Sequence, residues 1–217
     1  MSALRVVALT GGISFPSSSR LLADLLLDRT AAHLEAQGRE ATTSPVEVRD
    51  VAADAATANV LGFRSPELTA ALTAVEDADL LVAASPVFRG SYSGVFKTFV
   101  DLLDGRALAG KPVLLAAVGG TVRHTLVIDQ ALRPLFAFMG AVLVPTGVYA
   151  STADWNAERL PTAALAERAD RAAAQLARLA VLVDGAAPAA GPEGAPVAAP
   201  PSPGGSTADE PGSRPRV

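Results

Sequence analysis

Short apolar runs alternate along this chain with longer stretches whose apolar positions recur every three or four residues, as far as about residue 183. Leu4-Arg5-Val6-Val7-Ala8-Leu9 predicts a first strand that runs straight into Gly11-Gly12. Leu21 to Ala36, with Leu22, Leu25, Leu26 and Leu34 in helical register, predicts a helix that Gly38 stops. Pro45 to Val51 predicts a second, weaker strand, and Pro66 to Val75 a helix with proline in its first turn. Asp79 to Ala84 predicts a third strand, whose unbroken Leu80-Leu81-Val82-Ala83-Ala84 points to cover on both faces, as in a parallel sheet.

The alternation then repeats. Ser93 to Leu103 reads as a helix, Pro112 to Val118 as a fourth strand, Val127 to Phe138 as a helix and Val142 to Val148 as a fifth strand. A last helix runs from Thr162 to about Val183, with Leu165, Ala169, Ala172, Leu176 and Leu179 on its buried face. Five strands separated by helices predict a doubly wound α/β domain with right-handed crossovers. Ligands of such sheets bind outside the carboxyl ends of the strands, near the switch point. The loops after strands one, three and four are therefore the places to look.

Composition changes this picture at one end of the chain. From residue 185 to 217 Ala, Pro, Gly and Ser dominate without periodicity, which predicts a disordered tail after a domain spanning 1–184. A hydrophobic fraction of 50% beside 18% charged residues describes a soluble globular domain, and a net charge of −4 gives nothing to attract nucleic acid. The absence of cysteine excludes disulfides, thiol nucleophiles and thiolate metal sites, and fits a cytoplasmic protein. No stretch reaches the ~18 apolar residues of a membrane span, and the opening residues lack a signal-peptide pattern.

The first loop, Gly11-Gly12-Ile13-Ser14-Phe15-Pro16-Ser17-Ser18-Ser19-Arg20, sets four hydroxyls and a cation before a helix N-terminus, where free amides and the macrodipole favour an anion. It matches neither the dinucleotide glycine pattern nor the P-loop. It suits a terminal monophosphate held by Ser14, Ser17, Ser18, Ser19 and Arg20, although serines also cap helices without any ligand. The second loop, Ser85-Pro86-Val87-Phe88-Arg89-Gly90-Ser91-Tyr92-Ser93-Gly94, offers turns that face backbone groups toward a planar ligand, with Phe88 and Tyr92 to flank a ring. By itself it reads rather as an ordinary strand-to-helix turn with two core aromatics. The third loop, Gly119-Gly120-Thr121-Val122-Arg123-His124, allows close backbone approach. A lone loop histidine such as His124 is more often a surface residue than a catalyst, and His33 in the first helix carries no assignment. No convergent His or carboxylate cluster supports a metal site, and no G-x-S-x-G elbow supports a hydrolase.

Together these three stretches resemble the NAD(P)H-dependent FMN reductase family, in particular the flavin reductases that supply two-component monooxygenases such as the alkanesulfonate systems. Pro16-Ser17-Ser18-Ser19-Arg20-Leu21-Leu22 resembles the family's phosphate loop, and Ser85 to Leu103 its flavin loop and following helix. Gly119 to His124, with Asp129, Ala131, Leu132, Pro134 and Leu135 beyond, is the most specific stretch. The resemblance covers residues 4 to 150 and implies a flavodoxin-like three-layer α/β/α fold with a five-stranded parallel sheet in the order 2-1-3-4-5. It implies FMN phosphate near Ser14, Ser17, Ser18, Ser19 and Arg20, and the isoalloxazine ring against Pro86, Val87, Phe88, Arg89, Gly119, Gly120 and Thr121. Tyr92 stands where the family has a tyrosine near flavin and subunit interface. Relatives often carry Ser-Arg-Ser where this chain has Ser17-Ser18-Ser19 followed by Arg20, which changes the arginine's approach.

The implied chemistry is hydride transfer from NADPH or NADH to FMN N5, with Arg89, Arg123 or His124 as candidate helpers for coenzyme phosphate or anionic flavin, and no acid–base pair of the protein's own. Implied partners are a flavin-dependent monooxygenase and a second or further copy of the chain, as homodimer or homotetramer. Two other readings share the scaffold: an FMN-containing quinone, azo-dye or chromate reductase, and a non-enzymatic electron carrier of flavodoxin type, for which a charge of −4 is mild.

Overall fold

In the computed structural model, which describes residues 3–181, the opening apolar run is β1 (Leu4–Thr10), paired in parallel with β2 (Ala41–Glu47) on one side and β3 (Leu80–Phe88) on the other. The end of β3 folds back as the antiparallel β4 (Ser91–Tyr92). β5 (Pro112–Gly119) lies beyond β3 and carries two short parallel neighbours, β6 (Val142–Leu143) and β7 (Val148–Ser151). The order β2-β1-β3-β5-β6 is the flavodoxin-like order expected of the sheet, with seven strands in place of five.

Side chains alternate across this sheet. Val7, Leu9, Leu81, Ala83, Val113 and Leu115 face one way, onto α2 (Ala52–Leu61), α3 (Pro66–Glu76), α4 (Gly94–Val100) and α5 (Arg133–Phe138), with Phe96, Phe99 and Phe136 fully buried among them. Val6, Ala8, Leu80, Val82, Leu114 and Ala116 face the other way, onto α1 (Ser18–Ala36) and α6 (Ala163–Leu179). This two-sided burial is the reason the central strands read as continuous apolar runs. Among the described residues no helix is long and apolar enough to cross a membrane.

Four differences from the sequence expectations have physical causes. The second strand is Ala41–Glu47, and Val48–Val51 forms a 3₁₀ turn instead. As an edge strand it buries only Val46, so its apolar signal is faint, and Pro45 is tolerated there. Helix α2 escaped the periodicity because its buried side, Ala55 and Ala58, is alanine among alanines. The two extra strands arise at the ends. Arg89 (φ 51) and Gly90 (φ 81) make a two-residue turn with both φ positive, which closes the β3–β4 hairpin. The fifth strand is split because four residues lie between Leu143 and Val148, against two between their partners Val113 and Ala116 on β5. In the break, Arg133 donates to the Val144 and Pro145 carbonyls, and a Cβ on Gly147 would come within 2.6 Å of Ile128 Cγ2. The predicted helix over 127–138 begins with a π turn, Ile128–Leu132, before α5. The expected tail at 185–217 lies outside the described residues.

One buried cation sets a pH dependence. Lys111 is 9% exposed and its ammonium donates to the carbonyls of Val75 and Glu76, at 2.8 and 2.7 Å, at the end of α3. Burial pushes its pKa down from 10.5 to about 8, against the pull of Asp79 and Asp77. Between those two values the unfolded chain binds more protons than the folded one, so folding stability gains from Lys111 deprotonation as pH rises. Urea unfolding at about pH 8 and about pH 10 should therefore show the wild type gaining stability relative to Lys111→Met across that window. Parallel curves would refute it.

Candidate functional site

The strand ends place three loops side by side. The loop after β1 is held at both sides: Gly11 N–H donates to the Ala84 carbonyl at 2.9 Å, and Ser93 Oγ donates to the Gly11 carbonyl at 2.8 Å. Ser93 also caps α4, and its own N–H donates to Ser85 Oγ at 2.9 Å. The first and second loops are thus joined through buried serines. The third loop is fixed by Tyr149 of β7, whose hydroxyl donates to the Thr121 carbonyl at 2.6 Å. Burial first, and Asp154 second, raise the Tyr149 pKa, which keeps that donor protonated.

These loops enclose a cleft of about 210 Å³ lined by Gly12, Ile13, Ser14, Ser17, Ser18, Ser19, Pro86, Val87, Phe88, Val118, Gly119, Gly120 and Thr152. Two of its glycines exist because of close approach. A Cβ on Gly12 would overlap the Ser17 hydroxyl, and one on Gly119 would overlap the Tyr149 hydroxyl. Ser17 caps α1, accepting from Arg20 N–H at 3.2 Å, and no acidic residue occupies the helix's first turn. Ser17, Ser18 and Ser19, which open this helix of 19 residues, line the cleft, so the helix N-terminus lies beside it with no acidic side chain to cancel the dipole. Ser17 is 8% and Ser19 2% exposed, while Ser14 and Ser18 are at the surface.

Nine of the residues predicted from sequence share this cleft: Ser14, Ser17, Ser18, Ser19, Pro86, Val87, Phe88, Gly119 and Gly120. Arg20, Arg89, Tyr92, Thr121 and His124 are not part of its lining. Arg20 is drawn aside to Asp24 and Glu47, both at 2.7 Å. The hydrogen bond to Asp24 is the main cause that raises its already high pKa. Arg89 forms the hairpin turn, and Tyr92 packs on Phe96 with ring centroids 6.3 Å apart. Thr121 accepts from Arg123 N–H and starts the 3₁₀ turn that carries His124 at the surface. His33 pairs with Asp170 of α6 at 3.1 Å, a structural role.

Gly12, Ile13, Val118 and Thr152 line the cleft without having been singled out. Gly12 had a signal in the Gly11-Gly12 pair; Thr152, arriving from the end of β7, had none. Arg49 was also missed. Its guanidinium donates to the Ser14 carbonyl at 2.7 Å, pairs with Glu47 at 2.8 Å and lies 5.2 Å from the Phe15 ring centroid. Glu47 thus collects Arg20 and Arg49 together and ties the first loop to β2. Among the described residues no group of His, Cys, Asp or Glu could hold a metal ion.

This donor set fits a flavin mononucleotide. Hydroxyls and free amides stand at one end for a phosphate, and backbone made close by glycine stands with Pro86 to Phe88 at the other. Known proteins agree. The profile of the NADPH-dependent FMN reductase family matches residues 4–156. An FMN reductase (NADPH) of Pseudomonas aeruginosa is 43% identical over 178 residues, 82% of this chain and 93% of the relative. The NADH-dependent FMN reductase SfnF of Pseudomonas fluorescens is 43% identical over 176 residues, 81% and 91% of the two chains. A solved oxidoreductase of Corynebacterium diphtheriae superposes with a TM-score of 0.77 at 41% identity, covering 83% of this chain and 98% of its own. The chain belongs to the NADPH-dependent FMN reductase family of flavodoxin-like oxidoreductases.

Proposed function

We propose that this protein reduces FMN with NADPH or NADH and releases the reduced flavin to a flavin-dependent monooxygenase. The observation that carries the reading is the convergence of three loops, chosen for their chemistry, on one cleft at the carboxyl ends of β1, β3 and β5. Ser17, Ser19 and the first amides of α1 hold the phosphate, and Pro86, Val87, Phe88, Gly119 and Gly120 hold the ring. When bound, FMN supplies the redox chemistry, acceptance at N5 of a hydride from nicotinamide C4, which calls for no acid–base pair in the protein.

The chain's own residues position and polarise. Glycines at 119 and 120 bring main-chain groups close to the ring edge, where negative charge grows on reduction. The Tyr149–Thr121 hydrogen bond keeps that edge rigid before any ligand arrives. Arg20, paired with Asp24 and Glu47, steadies the start of α1, so the phosphate's charge is met by helix amides and hydroxyls.

Ile13 and Phe88, 58% and 43% exposed in the lining, leave the cleft mouth open to a flavin that enters and leaves as a substrate. This favours a reductase of free FMN over a carrier that retains its flavin. The reading also comprises a cytoplasmic homodimer or homotetramer whose functional domain is 1–184. Oxidation of NADPH and NADH with FMN, FAD, riboflavin and a quinone, measured in parallel, tests it. Turnover with FMN alone is expected for either coenzyme or both. A requirement for added quinone would instead select a quinone reductase, and no coenzyme oxidation with any acceptor would select an electron carrier.

A further inference from the structure

Beside the flavin cleft, and sharing Ser18, Val118 and Thr152 with it, lies a second hollow of about 360 Å³. Its outer wall is the loop before α6, which contributes Trp155, Asn156 and Arg159. That loop is closed on itself. Trp155 forms a β-bridge with Pro161; Asn156 N–H donates to the Leu160 carbonyl at 3.0 Å, and Leu160 N–H returns to Asn156 Oδ1 at 2.7 Å. Arg159 holds left-handed backbone, φ 61, with its N–H on the Asn156 carbonyl at 3.0 Å. Outside glycine that conformation is uncommon, so the loop's shape is fixed at some cost.

Two polar groups of this loop lack protein partners. The Arg159 side chain makes no ion pair or hydrogen bond among the described residues, whereas Arg20 and Arg49, the cations nearest the first loop, are both paired. The indole N–H of Trp155 is buried without an acceptor, which is destabilising for a donor removed from water.

Resting on the reading of Ser17 to Ser19 as the flavin's phosphate seat, we propose that this hollow is a subsite for an adenosine phosphate. Arg159 meets the phosphate charge, Trp155 supplies aromatic surface for the base, and Asn156 adds an amide. An inorganic anion would use neither an aromatic wall nor a space of this size. The hollow joins the cleft at Ser18 and Thr152 and takes no part of Pro86 to Phe88. It therefore continues from the phosphate end of the cleft, where a second phosphate and nucleoside would extend from flavin mononucleotide. The same chemistry closes the far end of NADH and NADPH, so the adenosine phosphate has two sources.

The chain has a single tryptophan, so Trp155 emission reports on this hollow. Titrating the full-length, flavin-free protein with 5′-AMP and with 2′,5′-ADP is expected to quench that emission saturably. Arg159→Gln should weaken both by about tenfold or more while leaving the calorimetric dissociation constant for FMN unchanged. The sources then separate in steady state. A KM raised for FAD and unchanged for FMN assigns the hollow to the AMP half of FAD; a KM raised for NADH or NADPH at fixed FMN assigns it to the coenzyme. Absence of saturable quenching, with FMN binding intact, overturns the subsite and leaves the flavin cleft standing. Equal weakening of FMN and 5′-AMP by Arg159→Gln also overturns it, since Arg159 would then serve the flavin phosphate. Failure of FMN itself to bind the unaltered protein, seen by calorimetry, overturns both readings.

Discussion

Replacing Ser17 and Ser19 together by alanine is expected to raise the dissociation constant for FMN by tenfold at least, and by about a hundredfold if each hydroxyl contributes ~1.5 kcal/mol as a charge-assisted donor. Both side chains are buried at the start of α1, and the Ser19 hydroxyl has no hydrogen-bond partner among the described residues. Ser17 has a second duty as the helix cap, so its loss also lowers stability by about 1 kcal/mol. The two effects are separable, because removing the cap moves the melting temperature whether or not flavin is present. Calorimetric titration with FMN and with riboflavin, which lacks the phosphate, isolates the phosphate term: affinity for FMN should fall while that for riboflavin stays level. An unchanged FMN constant would remove the phosphate assignment.

The contrast between Ser17 and Arg20 shows what local sequence can carry. Hydroxyls before an amphipathic helix imply a phosphate seat because cap, amide and dipole all act within one turn. Arg20 belongs to the same turn, yet it is turned aside by Asp24, four positions on, and by Glu47, 27 positions away at the end of an edge strand. No periodicity announces that second pairing. The same limit applies to α2, whose buried alanines resemble its exposed ones, and to Thr152, which joins the cleft only because β7 lies beside β5. Strands buried on both faces, glycine pairs and serine caps were legible because each is a constraint on consecutive residues. Arg49 on the Ser14 carbonyl and Trp155 beside Ser18 were not, because each is made by the sheet order.

Gly119→Ala is expected to do the largest damage of any single methyl group in the site. The new Cβ would overlap the Tyr149 hydroxyl and stand 3.2 Å from Cζ of the same ring. Tyr149 is 4% exposed and hydrogen-bonded to the Thr121 carbonyl, so the ring has nowhere to swing; the third loop must move instead. Overpacking of this kind lowers stability by roughly 1–3 kcal/mol. A loop displaced from the ring edge should also weaken FMN by about tenfold or more, since ~1.4 kcal/mol of lost positioning already gives that factor. Tyr149→Phe alone removes one hydrogen bond and should lower stability by about 1 kcal/mol, leaving the Thr121 carbonyl unpaired. Combining the two changes relieves the overlap, because the hydroxyl is the atom in the way and the remaining carbon contact at 3.2 Å needs only a small shift. Gly119→Ala/Tyr149→Phe should therefore be more stable than Gly119→Ala, with a coupling of about 0.5 kcal/mol or more in urea unfolding, and should recover part of its FMN affinity. Strictly additive losses in the double variant would mean that Tyr149 does not set the position of the third loop.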